Sequence, residues 1–236
     1  MKNIGFKTLC FAVVIFAISP IIGYAQECNA VLFMKKGAIL DYTDYNKNGK
    51  KKSTTRHETI EISGTDTNIE AIIKATVNDT KNKQPFSTQY KANCNNGLFS
   101  VDMLRFFSLD KLSEQNQENL KLEIDGDVLE FPTNSDVGDQ LDDGYISIKL
   151  NNQGFTLITM TFNILNRKIV GEETITTPAG SFKCQKVTFD FKSKFGIIKI
   201  NGSGVEWYHD NVVVVRSESY NKKGKLIGYH ELTGIR

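Results

Sequence analysis

The chain has 236 residues, of which 40% are hydrophobic and 24% charged, and its formal net charge is +2. That balance belongs to an ordinary globular protein, long enough to bury the core of one all-β domain or two small ones. Four prolines leave no proline-rich linker, and no heptads, long charge runs or low-complexity tracts interrupt the chain.

The first 25 residues read as a leader rather than as part of the fold. Lys2 and Lys7, with no acid, precede an apolar run from Leu9 to Ile22, and Gly23-Tyr24-Ala25 sets small residues at the two positions a signal peptidase reads. A secretory signal over 1–25, cleaved before Gln26, is predicted. The run is short for a membrane span and lacks a stop-transfer flank. Ala25-Gln26-Glu27 before Cys28 does not suit a lipobox. The expectation is a soluble exported chain with no integral membrane segment after cleavage, forming a single β domain over 26–236. A two-lobed arrangement would divide near 132–144. Loss of Lys2 and Lys7 takes Lys+Arg from 29 to 27 against 27 Asp+Glu, so the remainder is neutral. Neither a nucleic acid nor an anionic membrane finds an electrostatic footprint in that total.

Cys28, Cys94 and Cys184 remain beyond the leader. In an oxidising envelope one pair is expected. Cys28 stands at the frayed start, where a staple ties down a terminus, and Cys94 closes a strand before the turn Asn95-Asn96-Gly97. The predicted disulfide is Cys28–Cys94, leaving Cys184 as a buried thiol, with a reactive Cys184 as the rival reading.

Strands then follow one another. Gly37 to Tyr45 is a strand with Asn46-Lys47-Asn48-Gly49 as its turn, and Arg56 to Ser63 returns with Ile60 and Ile62 on one face. Ile69, Ala71, Ile73, Ala75 and Val77 alternate with polar residues, so a period of two turns them inward. Phe86, Thr88, Tyr90, Ala92 and Cys94 repeat the pattern, and Asn96-Gly97 suits a hairpin because both residues tolerate positive φ. One short helical insertion is predicted over 101–119, from Val101, Leu104, Phe107 and Leu112 with Ser108 or Asp110 as caps. Leu120, Leu122 and Ile124 lead to a turn at Asp125-Gly126, then Val128 to Phe131.

The loop from Pro132 to Gly144 holds Asp136, Asp139, Asp142 and Asp143, with Asp125 and Asp127 upstream. Carboxylates are hard oxygen ligands suited to calcium, but the spacing is not that of an EF-hand, and Asp with Gly is what solvated turns are made of. No metal site is assigned. Beyond it, strands are predicted over Tyr145 to Leu150, through Ile158 to Ile164, and over Arg167 to Thr176, which returns through Thr177-Pro178-Ala179-Gly180 into Phe182 to Phe191. In that last strand Phe182 and Cys184 share one face while Val187, Phe189 and Phe191 share the other, which needs a bulge or two covered faces. Ile197 to Asn201, the turn Gly202-Ser203-Gly204, Val205 to His209, Val212 to Ser219 and Leu226 to Leu232 complete the set. Tyr45-Asn46-Lys47-Asn48-Gly49-Lys50 is echoed by Tyr220-Asn221-Lys222-Lys223-Gly224-Lys225, read as one hairpin chemistry used twice rather than as a duplication.

No catalytic set can be assembled. His57, His209 and His230 show no ligand spacing; the first and last are read as solvated and His209 as lying at a sheet rim. No Gly-x-Ser-x-Gly elbow, phosphate loop, His-Glu-x-x-His or Cys-x-x-Cys is present. Glu172 and Glu173 are neighbours on a strand and point to opposite faces. Trp207 is read as core. A hydrolase would need convergent acids or a His–carboxylate pair that the sequence alone does not bring together, so the chain is expected not to be an enzyme and to carry no cofactor.

From Thr177-Pro178-Ala179-Gly180-Ser181-Phe182-Lys183-Cys184 through Gly204-Val205-Glu206-Trp207-Tyr208 to Arg216 and the Tyr220–Lys225 turn, the chain resembles the TapB-like exported proteins, uncharacterised envelope proteins of Gram-negative bacteria. The likeness reaches upstream to Cys28, Gly37 to Gly49 and Cys94-Asn95-Asn96-Gly97, and departs at His209-Asp210-Asn211. It implies an exported protein of the periplasm or cell surface, supports the Cys28–Cys94 pairing and supplies no catalytic residues. The fold expected is all-β and antiparallel, either an open or closed barrel (lipocalin-like or lipoprotein-carrier-like) or a two-sheet sandwich. Its concave side suits a lipid or other amphipathic small molecule. The alternative is an interaction or structural protein with a filled core that docks an envelope protein.

Overall fold

A computed structural model describes residues 28, 32–65, 67–81, 85–103, 120–133, 135–210 and 213–236. The predicted leader therefore lies outside the described residues, as do 104–119 of the predicted helix; Val101 and Asp102 are strand. A short 3-10 turn at Leu32–Met34 leads into thirteen strands. They are β1 (Ile39–Asn46), β2 (Lys51–Thr65), β3 (Asn68–Asp79), β4 (Phe86–Asn95), β5 (Leu98–Asp102), β6 (Leu120–Gly126) and β7 (Val128–Glu130). After them come β8 (Gly144–Asn152), β9 (Phe155–Thr177), β10 (Gly180–Phe195), β11 (Ile198–His209), β12 (Val213–Asn221) and β13 (Leu226–Ile235).

All thirteen belong to one antiparallel sheet in the order β6-β8-β9-β10-β11-β12-β13-β1-β2-β3-β4-β5-β7. The order starts at β6 and ends at β7, and only Asp127 separates those two strands. The chain itself thus bridges both ends of the sheet: the Asp127 N–H donates to Tyr145 O at 2.8 Å on the β8 side, and the Phe131 N–H to Phe99 O at 2.9 Å on the β5 side. A long twisted sheet leaves costly unpaired edges unless it closes. This one is a nearly closed barrel, and the sandwich alternative falls. Asp125-Gly126 is accordingly not a hairpin turn but the point where one strand changes neighbours. A Cβ at Gly126 would stand 2.9 Å from Tyr145 O, so the close approach to β8 requires glycine.

Arg167 holds the junction from β9. Only 2% exposed, its guanidinium donates from Nη1 to Asp142 O at 2.8 Å and from Nη2 to Glu130 O at 2.6 Å. The loop it grips lies along β9, with Leu141 N donating to Arg167 O and Ile169 N to Asp139 O. Arginine suits this place because its planar fork reaches two carbonyls at once and keeps its hydrogen bonds without water.

Inner faces follow the period of two. Ile69, Ala71, Ile73 and Ala75 on β3 and Tyr90, Ala92 and Cys94 on β4 are buried. Asn96 and Gly97 turn between β4 and β5 with φ of 49° and 83°, as the dipeptide predicts. The predicted turn at Gly202-Ser203-Gly204 is instead the middle of β11. Gly204 pairs with Phe189 and Gly202 with Phe191, and a Cβ at Gly204 would lie 2.2 Å from the Phe189 ring. The glycines are the beds for two aromatic rings, a strand role that sequence reads as a break.

Cys28 and Cys94, both fully buried, are joined by a disulfide across 66 residues. It fixes the N-terminal segment against one end of the barrel, where Phe33 meets Phe99 at 6.4 Å and Phe131 at 6.0 Å. Thr59 Oγ1 donates to Phe33 O at 2.7 Å.

Replacing Arg167 by Met should cost roughly 2–4 kcal/mol, because two buried carbonyls lose their donors. Urea unfolding of the two proteins checks this. Arg167→Lys should recover little, since an ammonium cannot span both acceptors; a Met variant within about 0.5 kcal/mol of the parent contradicts the role.

Candidate ligand-binding cavity

The small Ala75 and several hydroxyl side chains stand on the inner face of the barrel. A cavity of about 420 Å³ lies inside it, lined from β1 to β5 and β9 to β13 as well as by Phe33 and Phe131. Its two ends differ in chemistry. Phe33, Leu40, Ile73, Val101 and Phe131 line an apolar floor above the disulfide. Toward the other end stand Asp44, Thr55, His57, Glu206, Ser217, Ser219 and His230.

That polar collar is built by register. Asp44 on β1 faces His230 on β13, and His230 Nδ1 lies 2.8 Å from Asp44 Oδ1. Ser53 and Thr55, from β2, donate to Asp44 Oδ2 at 3.0 and 3.4 Å. Tyr42 stacks on His230 with centroids 4.3 Å apart and meets His57 edge-on at 5.4 Å. His57 reaches over Ala75, its partner on β3, to Tyr90 on β4, with Nδ1 2.9 Å from the phenol oxygen. Four rings therefore run in series around a third of the wall. Glu206, 6% exposed, accepts from Tyr208 Oη and, at 3.4 Å, from Ser217 Oγ.

Burial pushes the Asp44 carboxyl up, but the hydrogen bond and charge of His230, with Ser53 and Thr55, outweigh it and hold the group below its ordinary value. This collar corrects two readings. His57 and His230 are not solvated surface residues, and the His–carboxylate pair that the sequence does not assemble is present. The reason is that β2 is polar on both faces, with Ser53, Thr55, His57 and Thr59 inward and Lys52, Thr54, Arg56 and Glu58 outward, so alternation carries no sign. The signal that did exist was the small Ala75 on the inner face of β3, which lines the cavity.

The other singled-out residues are elsewhere. Cys184 is 2% exposed and packs with Trp207 and Val215 on the wall's outer face, opposite Glu206 and Tyr208. Both expected devices occur in β10: a bulge at Lys186/Val187 and a second, outer cluster. Burial pushes the Cys184 thiol up to about 11. Trp207 donates to Glu173 at 2.6 Å. Glu173 also pairs with Lys186 at 2.8 Å, and Glu172 with Lys183 at 3.0 Å. His209 ends β11, within 3.0 Å of Lys183 O. The loop aspartates serve as turn acceptors, Asp139 for the N–H of Asp136 and Asp143 for that of Asn166, each at 2.8 Å. The repeated Tyr-Asn-Lys turns use one chemistry: Asn46 accepts from the N–H of Asn48 and Lys50, and Asn221 from those of Lys223 and Lys225.

The profile of the DUF3108-like family matches residues 35–232. The chain belongs to the DUF3108-like family. Two crystal structures share its fold. One, from Bacteroides fragilis, is a protein inferred to be exported, with a YmcC-like fold; it is 27% identical, at a TM-score of 0.69 over 86% of this chain and 96% of that one. The other, from Parabacteroides distasonis, is a protein inferred to be a lipoprotein, 23% identical at a TM-score of 0.69 over 87% and 98%. No curated protein matches the chain. The match sets the strand order described above within the YmcC-like fold.

Asp44 gives the collar a pH signature. Its folded value lies below the ordinary 3.8, so the stability it contributes is present above that value and is lost as pH falls through the lower, folded one. Urea titrations between about pH 5 and 2 should show the parent losing stability faster than Asp44→Asn; parallel curves refute the coupling. With its thiol pushed up to about 11 by burial, Cys184 should hold about a hundredfold less thiolate than a free cysteine. Maleimide at mildly alkaline pH should label it only after unfolding; prompt labelling of the native protein would return the reactive reading.

Proposed function

We propose that this DUF3108-like protein is a non-catalytic envelope protein that holds an amphipathic small molecule in its barrel. The apolar part of the ligand rests on the Phe33–Phe131 floor and its polar head lies at the Asp44–His230 collar. The observation that carries this reading is the cavity itself. A volume of about 420 Å³ with an apolar end and a hydrogen-bonding end is of ligand size and matches the usual make-up of small-molecule sites.

The collar fits binding better than turnover. Asp44 is occupied by His230, Ser53 and Thr55, and the described contacts place no nucleophile on the His230 ring for a base to activate. An exported address is supported by the leader-like start, by the resemblance to the TapB-like proteins and by the character inferred for both structural neighbours.

A native mass spectrum of protein gently purified from its own envelope tests the reading. A discrete added mass, lost in organic solvent, is expected. Ala75→Phe, which puts a ring into the cavity from a buried position, should keep the fold by circular dichroism and lose the added mass. A bare parent mass overturns a tightly loaded carrier.

A further inference from the structure

The neutral total charge hides a cluster of lysines that the topology creates. The β1–β2 and β12–β13 turns lie side by side, since Asn46 pairs with Gly228 and the Lys47 N–H donates to Ile227 O. They gather Lys47, Lys50, Lys51, Lys222, Lys223 and Lys225, all exposed, at one rim. The β10–β11 hairpin reaches the same rim, because Gly202 at its base pairs with Asn221. In it Lys194 and Lys199 face each other directly, a like-charge pair that weakens a hairpin standing alone. Asp125, Asp127, Asp136, Asp139, Asp142 and Asp143, also exposed, lie away from this rim, at the β6–β7 junction and in the loop along β9. Lys35, Lys36 and Lys183 are exposed at the far end as well.

The basic rim also carries apolar side chains where turns are ordinarily polar. Gly196, at φ 58°, and Ile197 form the tip between Phe195 and Ile198. Ile197 is 98% exposed, and Phe195, Ile198 and Ile200 are each more than half exposed. Phe155 and Leu157 begin β9 on the adjacent hairpin, at 77% and 58%. Apolar tips set among lysines make a surface of the interfacial kind, in which side chains enter the headgroup boundary and cations meet anionic lipid. Protein interfaces are ordinarily depleted of lysine, and these tips project instead of forming a groove.

We propose that the lysine-bearing rim docks on an anionic lipid bilayer, with the β10–β11 hairpin tip seated among the headgroups. This stands on the rim alone and does not need the cavity to be loaded. It would, however, bring the collar end of the barrel toward the membrane, since Asp44 and Ser219 lie two residues before the ends of β1 and β12 at that rim.

Co-sedimentation of the full chain with vesicles tests it. Vesicles of phosphatidylcholine containing one-third phosphatidylglycerol should retain at least about tenfold more protein than phosphatidylcholine alone, and raising salt from about 0.05 to 0.5 M should abolish the difference. Ile197→Asp and the triple change Lys222→Glu, Lys223→Glu, Lys225→Glu should each lower retention about tenfold, whereas Asp136→Asn away from this rim should not. All variants share one N-terminal segment, so the leader cannot produce these differences. Ala75→Phe should sediment as the parent does, which separates failure of docking from failure of the cavity reading. Retention that ignores phosphatidylglycerol, or that survives both rim variants, overturns the proposal. So does a lowered melting temperature for Ile197→Asp, which would show the tip covered by the protein itself.

Discussion

The guanidinium of Arg167, donating to the carbonyls of Glu130 and Asp142, sits where the two ends of the sheet meet, and the interior exists because they meet. Without that junction the wall would have no inside; β6 and β7 remain the two end strands of the sheet and are joined through the chain at Asp127 and not by pairing with each other. The junction uses a single chain segment that changes partners at Asp127, so closure needs no extra strand. A buried charge is costly unless its hydrogen bonds are met. Here carbonyl dipoles meet them, and the cost is set against a closed sheet.

Closure then decides which side chains matter. The inner wall is apolar near the disulfide and polar near the other mouth, so one barrel offers a dry floor and a hydrogen-bonding collar. Ala75 on β3 and the glycines on β11 set the room inside. Ala75 lets His57 reach Tyr90, and Gly202 and Gly204 receive the Phe191 and Phe189 rings. The wall has a second, outer core around Trp207 and Cys184, which explains why β10 and β11 look apolar on both faces.

The strands and most hairpins were legible because each rests on local chemistry. Asn96-Gly97 declares its positive φ, and the alternation through β3 and β4 declares its inner face. The repeated Asn turns show their purpose in the side-chain bonds of Asn46 and Asn221. The collar was not legible in the same way. Asp44, His57 and His230 come from three strands separated by up to 186 residues, and their polar neighbours on both faces leave no periodicity to read. Gly202-Ser203-Gly204 misled for a related reason: a glycine can mark a turn or make room for a ring, and only the facing strand tells which.

By itself the sequence determined an antiparallel all-β chain, most of its hairpin turns, its candidate disulfide and a neutral charge beyond the predicted leader. These follow from period, φ preference and composition, which act within a few residues. Tertiary structure alone decided that the sheet nearly closes, that Asp44 meets His230 over a cavity, that Arg167 is buried, and that the lysines of three hairpins gather at one rim. Each of those depends on register between distant strands, and register is set by how the whole wall pairs and closes.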